Sequence, residues 1–330
     1  MSLRTVPFGT TDMSITRVGF GAWAIGGGSW AYGWGDQDDD ASVAAIRHAV
    51  ESGVNWIDTA AVYGLGHSEE VVARALQPYG DVDRPYVFTK CGLVWDENDR
   101  RVEPRRSGDA ASVRREVEAS LRRLGTERID LYQMHWPAPE QVQEYWQVLV
   151  DLKAEGKVRA VGLSNHDSKQ LDAAEAIGHV DSLQPPFSLI NRDVAGEELE
   201  WCHAHDTGVI VYSPMQSGLL TGAFTAERAA SLPANDWRSR DAEFTGEQLQ
   251  RNLALVAALW PIADRHETTV ASIAIAWCLA SQGVTAAIVG ARNPRQVDGW
   301  VGAPSVDLTA ADLTEIADAV RRTGAGHGEI

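Results

Sequence analysis

Short runs rich in Val, Ile, Leu, Phe and Tyr alternate along the chain with segments whose apolar residues recur every three or four positions. Eight runs have the first texture: 17–22, 54–58, 86–90, 129–135, 158–164, 181–184, 209–213 and 285–289. Their length and content predict strands. The second texture predicts amphipathic helices. Segment 109–124 sets Val113, Val117, Leu121 and Leu124 on one face, with Arg and Glu opposite. Segment 140–155 does the same with Val142, Tyr145, Trp146, Leu149 and Leu152, opening after Pro139 and stopping at Gly156. Segments 41–50, 167–177, 193–205 and 309–320 read as further helices.

Strands alternating with helices imply parallel βαβ units. Eight of them at regular spacing, with no linker, favour one closed (β/α)8 TIM barrel over an open sheet. Residues 3–9 and 14–18, flanking 10–13, predict a β-hairpin that plugs one barrel end. The one long irregular stretch is 222–246, which carries Pro233, Asn235, Asp236, Trp237 and Arg238. In a barrel such a stretch is a lid, a binding loop or a variable surface insertion. At 330 residues the length suits two average domains or one large barrel, and the pattern selects a single domain over 1–330.

Composition changes this picture little. The chain is 44% hydrophobic and 23% charged, ordinary for a soluble globule. Its net charge of −17 argues against a nucleic-acid partner, whose phosphates repel such a body. A local basic pocket remains compatible with it. Cys91, Cys202 and Cys278 are few and widely spaced. They match no zinc pattern, so no metal is expected, and they suggest reduced thiols in a cytoplasmic protein. The N-terminus lacks a signal-peptide pattern. The longest apolar stretch, 253–263, contains Pro261 and is too short to span a bilayer, so no membrane is expected. Nothing in the pattern sets an oligomeric state.

One motif invites a wrong reading. Gly19-Phe20-Gly21-Ala22-Trp23-Ala24 fits G-x-G-x-x-A after a strand, with Asp38, Asp39 and Asp40 downstream. That is the outline of a dinucleotide-binding fingerprint. The context fails, because Ile25-Gly26-Gly27-Gly28-Ser29-Trp30 is a loop where a helix N-terminus would have to hold the pyrophosphate. The three acids instead suit the start of the 41–50 helix.

The candidate chemistry lies at predicted strand ends. Asp58, Lys90 and His135 each close an apolar run, and Tyr63 follows Asp58 on the same loop. Barrel active sites sit at the C-terminal strand ends, so the fold would gather these four at one mouth. A free phenol ionises near pH 10, and a neighbouring ammonium favours the phenolate. Asp58 would hold Lys90 and keep it charged. His135 would donate a hydrogen bond to a substrate carbonyl oxygen, and Tyr63 would supply a proton as charge develops there. Such a site suits carbonyl reduction and needs a separate hydride source.

These residues belong to a longer pattern. Gly19-Phe20-Gly21-Ala22-Trp23, the stretch 55–64, Thr89-Lys90, 131–137, Gly162-Leu163-Ser164-Asn165, 209–222 and 288–296 together resemble the aldo-keto reductase family, in its order and over nearly the whole chain. The local wording from Lys90 to Asp96 resembles its bacterial branch of broad or unassigned carbonyl substrates. The resemblance implies a catalytic tetrad of Asp58, Tyr63, Lys90 and His135, with Tyr63 as proton donor. It implies that the hydride comes from NAD(P)H lying across the barrel mouth. Ser164, Asn165 and Gln184 would contact the nicotinamide carboxamide, and Tyr212 would stack under the ring. Ser213, Pro214, Met215, Gln216, Ser217, Gly218 and Leu219 would wrap the pyrophosphate. Gly290, Ala291, Arg292 and Gln296 would hold the adenosine phosphate, with Ala22, Trp23 and Asp58 also beside the nucleotide. Arg292 suits a 2′-phosphate, which favours NADP(H) over NAD(H). Gly299 and Trp300 stand where the family often has an acid and Asn. Trp300 would then stack on adenine or pack on the barrel.

Trp23, Trp30, Trp34, Trp95 and Trp136 also cluster near strand ends. Trp23 and Trp136, with Tyr63 and His135, are the expected walls for a small-molecule carbonyl substrate. A different class of function is a nucleotide-sensing subunit of the channel β-subunit type, which predicts tight nucleotide binding, negligible turnover and a stable protein partner. A barrel lyase or isomerase finds no metal cluster, Schiff-base setting or phosphate loop in this sequence.

Overall fold

The computed structural model describes residues 3–28, 30–80, 83–233 and 236–329. Eight parallel strands close a barrel. They are β1 Val18–Gly21, β2 Trp56–Asp58, β3 Tyr86–Cys91, β4 Ile129–Met134, β5 Val158–Ser164, β6 Ser182–Gln184, β7 Gly208–Val211 and β8 Ala286–Gly290. Each pairs with the next in chain order, and β8 closes onto β1 with Ala287 opposite Val18 and Gly290 opposite Gly21. All eight expected strands are present, and most ends move by one or two residues.

The barrel interior explains the misleading glycine motif. Trp56, Phe88, Leu131, Ala160, Ile210, Ala286 and Ile288 fill it, together with Phe8, Met13 and Ile15 from below. A Cβ on Gly19 would lie 2.2 Å from the Trp56 ring, and one on Gly21 would lie 2.8 Å from Ile288 Cγ2. These glycines make room for side chains, not for a pyrophosphate. Further along, Asp38 caps the helix Asp39–Glu51, accepting from the backbone N–H of Asp40 and Ala41.

The expected hairpin pairs Thr5–Pro7 with Ser14–Thr16, Val6 opposite Ile15. Phe8 stacks on Phe88 at 5.6 Å, and the Trp56 indole N–H donates to Thr16 O at 2.8 Å. The N-terminal end is therefore sealed by packing. Burying each large apolar side chain there contributes about 1.5–3 kcal/mol.

Outside the barrel, Asp109 caps Ala110–Leu124, and Asp167 and Thr309 form capping boxes on Ser168–Glu175 and Ala310–Thr323. The helix expected over 140–155 runs Val142–Ala154, because Glu140 turns away to accept from the Gly108 N–H. The segment expected as one helix over 193–205 is a 3-10 turn, Asp193–Ala195, and then a helix, Glu197–Ala204. Gly196 between them has φ −87° and ψ −107°, outside helical space. The stretch 222–246 is less irregular than expected, holding Ala226–Ala230, Trp237–Arg240 and Ala242–Phe244. Asn235 lies outside the described residues. Helices His67–Leu76, Gly246–Arg265 and Val270–Ala280 complete the main elements. Among the described residues, no helix is long and apolar enough to cross a membrane.

Candidate active site

The strand ends deliver the expected groups to one mouth. Asp58, Ser164, Gln184 and Gly290 end β2, β5, β6 and β8. Lys90 is the second-last residue of β3, while His135 and Tyr212 follow β4 and β7 directly. Lys90 is buried, and its Nζ donates to Asp58 Oδ1 at 2.6 Å and to Thr59 O at 2.9 Å. Gln184 Nε2 donates to the other carboxylate oxygen of Asp58 at 2.9 Å. Both oxygens of this buried acid therefore have partners, as a buried charge requires.

Tyr63 comes back over this pair on the loop after β2. The following Gly64 has φ +63°, and a Cβ on it would lie 2.1 Å from Gly26 O. Only glycine allows the two loops to approach so closely. The Tyr63 ring stands edge-on to the His135 ring at 5.6 Å, with Lys90 Nζ 5.2 Å from the Tyr63 ring centre. The four residues thus meet.

Burial dominates their protonation. It pushes the Tyr63 hydroxyl well above the ordinary phenol value, with the carboxylate of Asp58 adding to the effect. Lys90, expected to favour the phenolate, is not among the groups that shift the Tyr63 hydroxyl before substrate arrives. The ammonium is engaged by Asp58 and Thr59 O, and no hydrogen bond joins it to Tyr63 among the described residues. Burial, then the charge of Lys90, holds His135 well below its ordinary value, so its imidazole is neutral. Burial lowers Lys90 and raises Asp58, each opposed by attraction between the two.

Beside the tetrad runs a linked set of amides and hydroxyls. Asn165, held at φ +63°, donates from Nδ2 to His135 O at 2.9 Å and to Ser164 Oγ at 3.0 Å. The Tyr212 hydroxyl donates to Asn165 Oδ1 at 2.7 Å, and Ser164 Oγ donates to Gln184 O at 2.9 Å. Beneath them, the buried His166 donates from Nδ1 to Ser164 O and accepts from the Tyr145 hydroxyl, both at 2.8 Å. Burial lowers its pKa to about 4.

A cavity of 730 Å³ extends from Tyr63 and His135 across the mouth to Arg292 and Gln296. Ala22, Trp23, Asp58, Trp136, Ser164, Asn165, Gln184, Tyr212, Ser213, Pro214, Met215, Ser217, Gly218, Gly290 and Ala291 also line it. Ser213, Gln216, Ser217 and Gly218 all have positive φ. These conformations close tight turns in which the Gln216 N–H donates to Ser213 O at 2.8 Å and the Gly218 N–H to Met215 O at 3.1 Å. Two expected contacts fall outside the cavity. Leu219 is fully buried in the core behind the loop, and the side chain of Gln216 turns away to Ser188 and Glu243.

At the far end, Arg292 is not free. It donates to Gln37 Oε1, Asp36 O and Trp34 O, which fastens the 34–37 loop across the cavity. Arg238 pairs with Asp236 at 2.7 Å, donates to Ser217 O and lies over the Trp34 ring. Trp300 packs into the core at 2% exposure while edging the cavity, as the packing reading expects.

The aldo/keto reductase family matches residues 17–321 of this sequence. The chain belongs to that family. It is 34% identical over 315 residues to aldo-keto reductase YhdN of Bacillus subtilis, covering 95% of this chain and 92% of that protein. It is 35% identical over 335 residues to an NADH-specific methylglyoxal reductase of Escherichia coli, covering 97% and 100%. Among solved structures, the glycerol dehydrogenase AKR11B4 from Gluconobacter oxydans superposes with a TM-score of 0.89 at 35% identity, over 100% of this chain and 98% of that one.

For a family member, the extended cavity fits a nicotinamide nucleotide. The amide-rich wall at Asn165 and Gln184 matches a carboxamide, and Tyr212 offers a flat ring. Sequence reasoning missed the roles of Gln37 and Arg238, and it missed Arg106, which lines the substrate side. None of the three ends a strand run, so strand-end placement could not reveal them. Trp30, Tyr32, Trp34 and Leu93 also line the cavity, while Trp95 is absent from its wall.

Proposed function

We propose that this single-domain reductase converts aldehydes or ketones to alcohols, with NADP(H) as the nucleotide and Tyr63 as proton donor. The observation that carries the reading is the meeting of Tyr63 and His135 above the buried Asp58–Lys90 pair, in the wall of a long cavity. When bound, the nicotinamide supplies a hydride to the carbonyl carbon. His135, neutral, donates a hydrogen bond that orients the carbonyl oxygen. Tyr63 passes its proton to that oxygen as the negative charge forms. Lys90, held by Asp58, stabilises the phenolate left behind until solvent reprotonates it. The raised pKa of Tyr63 keeps the phenol protonated and ready to donate at neutral pH. Asn165, Ser164 and Gln184 would hold the carboxamide and so set which ring face meets the substrate. Three free, buried cysteines fit a cytoplasmic setting.

The second reading concerns the nucleotide. Arg292 supports NADP(H), because a guanidinium binds phosphate in two-point fashion. NAD(H) use is supported by the contacts that already tie Arg292 to the 34–37 loop, and by the NADH-specific relative. Purified protein with an aldehyde panel and each nucleotide tests both. Tyr63→Phe is expected to lower kcat by about 10²–10⁴-fold while nucleotide binding, followed by tryptophan fluorescence, persists. Undiminished turnover in that variant would remove Tyr63 from its role. Tight binding with no turnover of any carbonyl would favour the nucleotide-sensing alternative.

A further inference from the structure

The substrate side of the cavity contains one feature that carbonyl reduction itself does not require. Its walls there are Trp30, Tyr32, Leu93, Pro104 and Trp136, and a single cation, Arg106, stands among them. Arg106 sits on a two-stranded hairpin, Leu93–Val94 with Arg105–Arg106, in which Leu93 lies opposite Arg106. Both roots of the hairpin are tied down. Gly92 N–H donates to Glu116 Oε2 at 2.8 Å, Ser107 N–H to Gly92 O at 3.0 Å, and Gly108 N–H to Glu140 Oε2 at 2.7 Å. The guanidinium lies over the Trp136 ring at 4.7 Å, and Trp136 directly follows His135.

Arg106 is exposed, and its donors are not committed to the protein. Among the described residues it makes no ion pair, and its side chain donates no hydrogen bond. Glu103, just before the hairpin's second strand, acts on the Tyr32 hydroxyl. The other arginines of the cavity are engaged or placed differently. Arg238 has Asp236 and Arg292 has the carbonyl oxygens of the 34–37 loop, while Arg228, also stacked on an aromatic ring (Phe224), lies near Arg292 and not beside the tetrad. A guanidinium stacked on a tryptophan keeps its edge donors free for a planar anion. On a body of net charge −17, that edge is where an anionic group finds a counter-charge at the pocket.

We propose that Arg106 selects carbonyl substrates bearing a carboxylate, whose anion pairs with the guanidinium while the aldehyde or ketone reaches Tyr63 and His135. The inference rests on the carbonyl-reductase reading and narrows its substrate class. Arg106 acts here on specificity and takes no part in proton or hydride transfer.

The test compares 4-carboxybenzaldehyde with its methyl ester, which carries the same aldehyde and ring without the charge. The wild-type chain is expected to favour the acid in kcat/KM by about tenfold, the size of one charge-assisted hydrogen bond of about 1.4 kcal/mol. In Arg106→Met the acid-to-ester ratio falls to near one, through a higher KM for the acid with its kcat kept. Arg106→Lys retains part of the ratio, and added salt lowers it in the wild type. Equal use of acid and ester by the wild type would overturn the proposal, as would a ratio unchanged in Arg106→Met. If neither aldehyde oxidises NADPH or NADH, the reduction reading fails on its own. The carboxylate site is then judged by quenching of tryptophan fluorescence with the same two compounds. Tighter binding of the acid that is lost in Arg106→Met supports the site, and indifference to the substitution overturns it.

Discussion

The two ends of the cavity are built from different materials. At the tetrad end, the side chains stand on strand termini and are held by a buried ion pair and a chain of amides from Gln184 to Tyr212. At the Arg292 end, the walls are loops held by guanidinium groups on carbonyl oxygens and by stacked indoles, with Trp23 and Trp237 5.9 Å apart. At the tetrad end both carboxylate oxygens of Asp58 and the Lys90 ammonium have partners. Unpaired buried polar atoms occur on both sides, in the indole N–H groups of Trp23, Trp34, Trp237 and Trp300 and in the side-chain amide of Gln133, opposite Lys90 in the barrel. Unpaired buried donors are rare in folded chains and mark places where the protein has not optimised itself for stability. The contrast teaches that the chemistry end is fixed by electrostatics that cannot be relaxed piecemeal. The loop end can be retuned.

Removing one member of the ion pair tests that claim most severely. Lys90→Met leaves Asp58 buried with only Gln184 as partner. Breaking a buried pair from one side costs about 3–5 kcal/mol, while replacing both members costs much less. Urea unfolding should therefore show a large loss in Lys90→Met and a recovery in the Asp58→Asn/Lys90→Met double variant, though neither turns over substrate. A double variant no more stable than the single one would break the comparison. The matching change at the other end, Arg292→Met, strands no carboxylate and should shift the midpoint little.

A pH titration sharpens the same contrast. His166 lies under Ser164 and titrates near pH 4, below its ordinary value of 6.5, because burial disfavours the charged ring. The folded state thus binds this proton less readily than the unfolded chain does. The contribution is fully present above about pH 6.5 and declines as pH falls toward 4, by a total of about 3 kcal/mol. The buried neutral His135 acts in the same direction. His166→Phe should flatten part of the slope of unfolding free energy between pH 6.5 and 4. A wild-type slope kept intact in that variant would place the titration elsewhere.

How much of this was legible in the sequence follows from the same division. Asp58, Lys90 and His135 could be read because each interrupts an apolar run where a strand ends, and the barrel rule then supplies their neighbourhood. The Gln37–Arg292 contact joins residues 255 positions apart, both of ordinary surface types. No local pattern encodes such a pair. The helices that escaped notice have their own causes. Val270–Ala280 buries nine of its eleven residues, so no polar face betrays its period. His67–Leu76 starts from a left-handed Gly66 with no capping side chain. Gly246–Arg265 carries Pro261 in its interior, the usual sign of a helix end. The Gly19–Gly21 motif misled for the opposite reason. Trp56 and Ile288 demand small residues there as strictly as a pyrophosphate would.

The loop end is where nucleotide choice should be adjustable, and Arg292 is the residue that decides how. If its guanidinium turns to a 2′-phosphate, Arg292→Ala should raise the Kd for NADPH by about tenfold or more, the effect of losing a charge-assisted pair of roughly 1.5–3 kcal/mol, and leave NADH nearly unaffected. If instead it serves to fasten Trp34, Asp36 and Gln37, both nucleotides should weaken together as the loop lets go. Gln37→Ala separates the two further. It removes one acceptor while keeping the cation, so it should favour NADPH relative to NADH under the phosphate role and weaken both under the fastening role. Fluorescence titrations of the two variants with the two nucleotides give four affinities. Equal losses in all four would make Arg292 a loop latch and remove the charge-based argument for NADP(H).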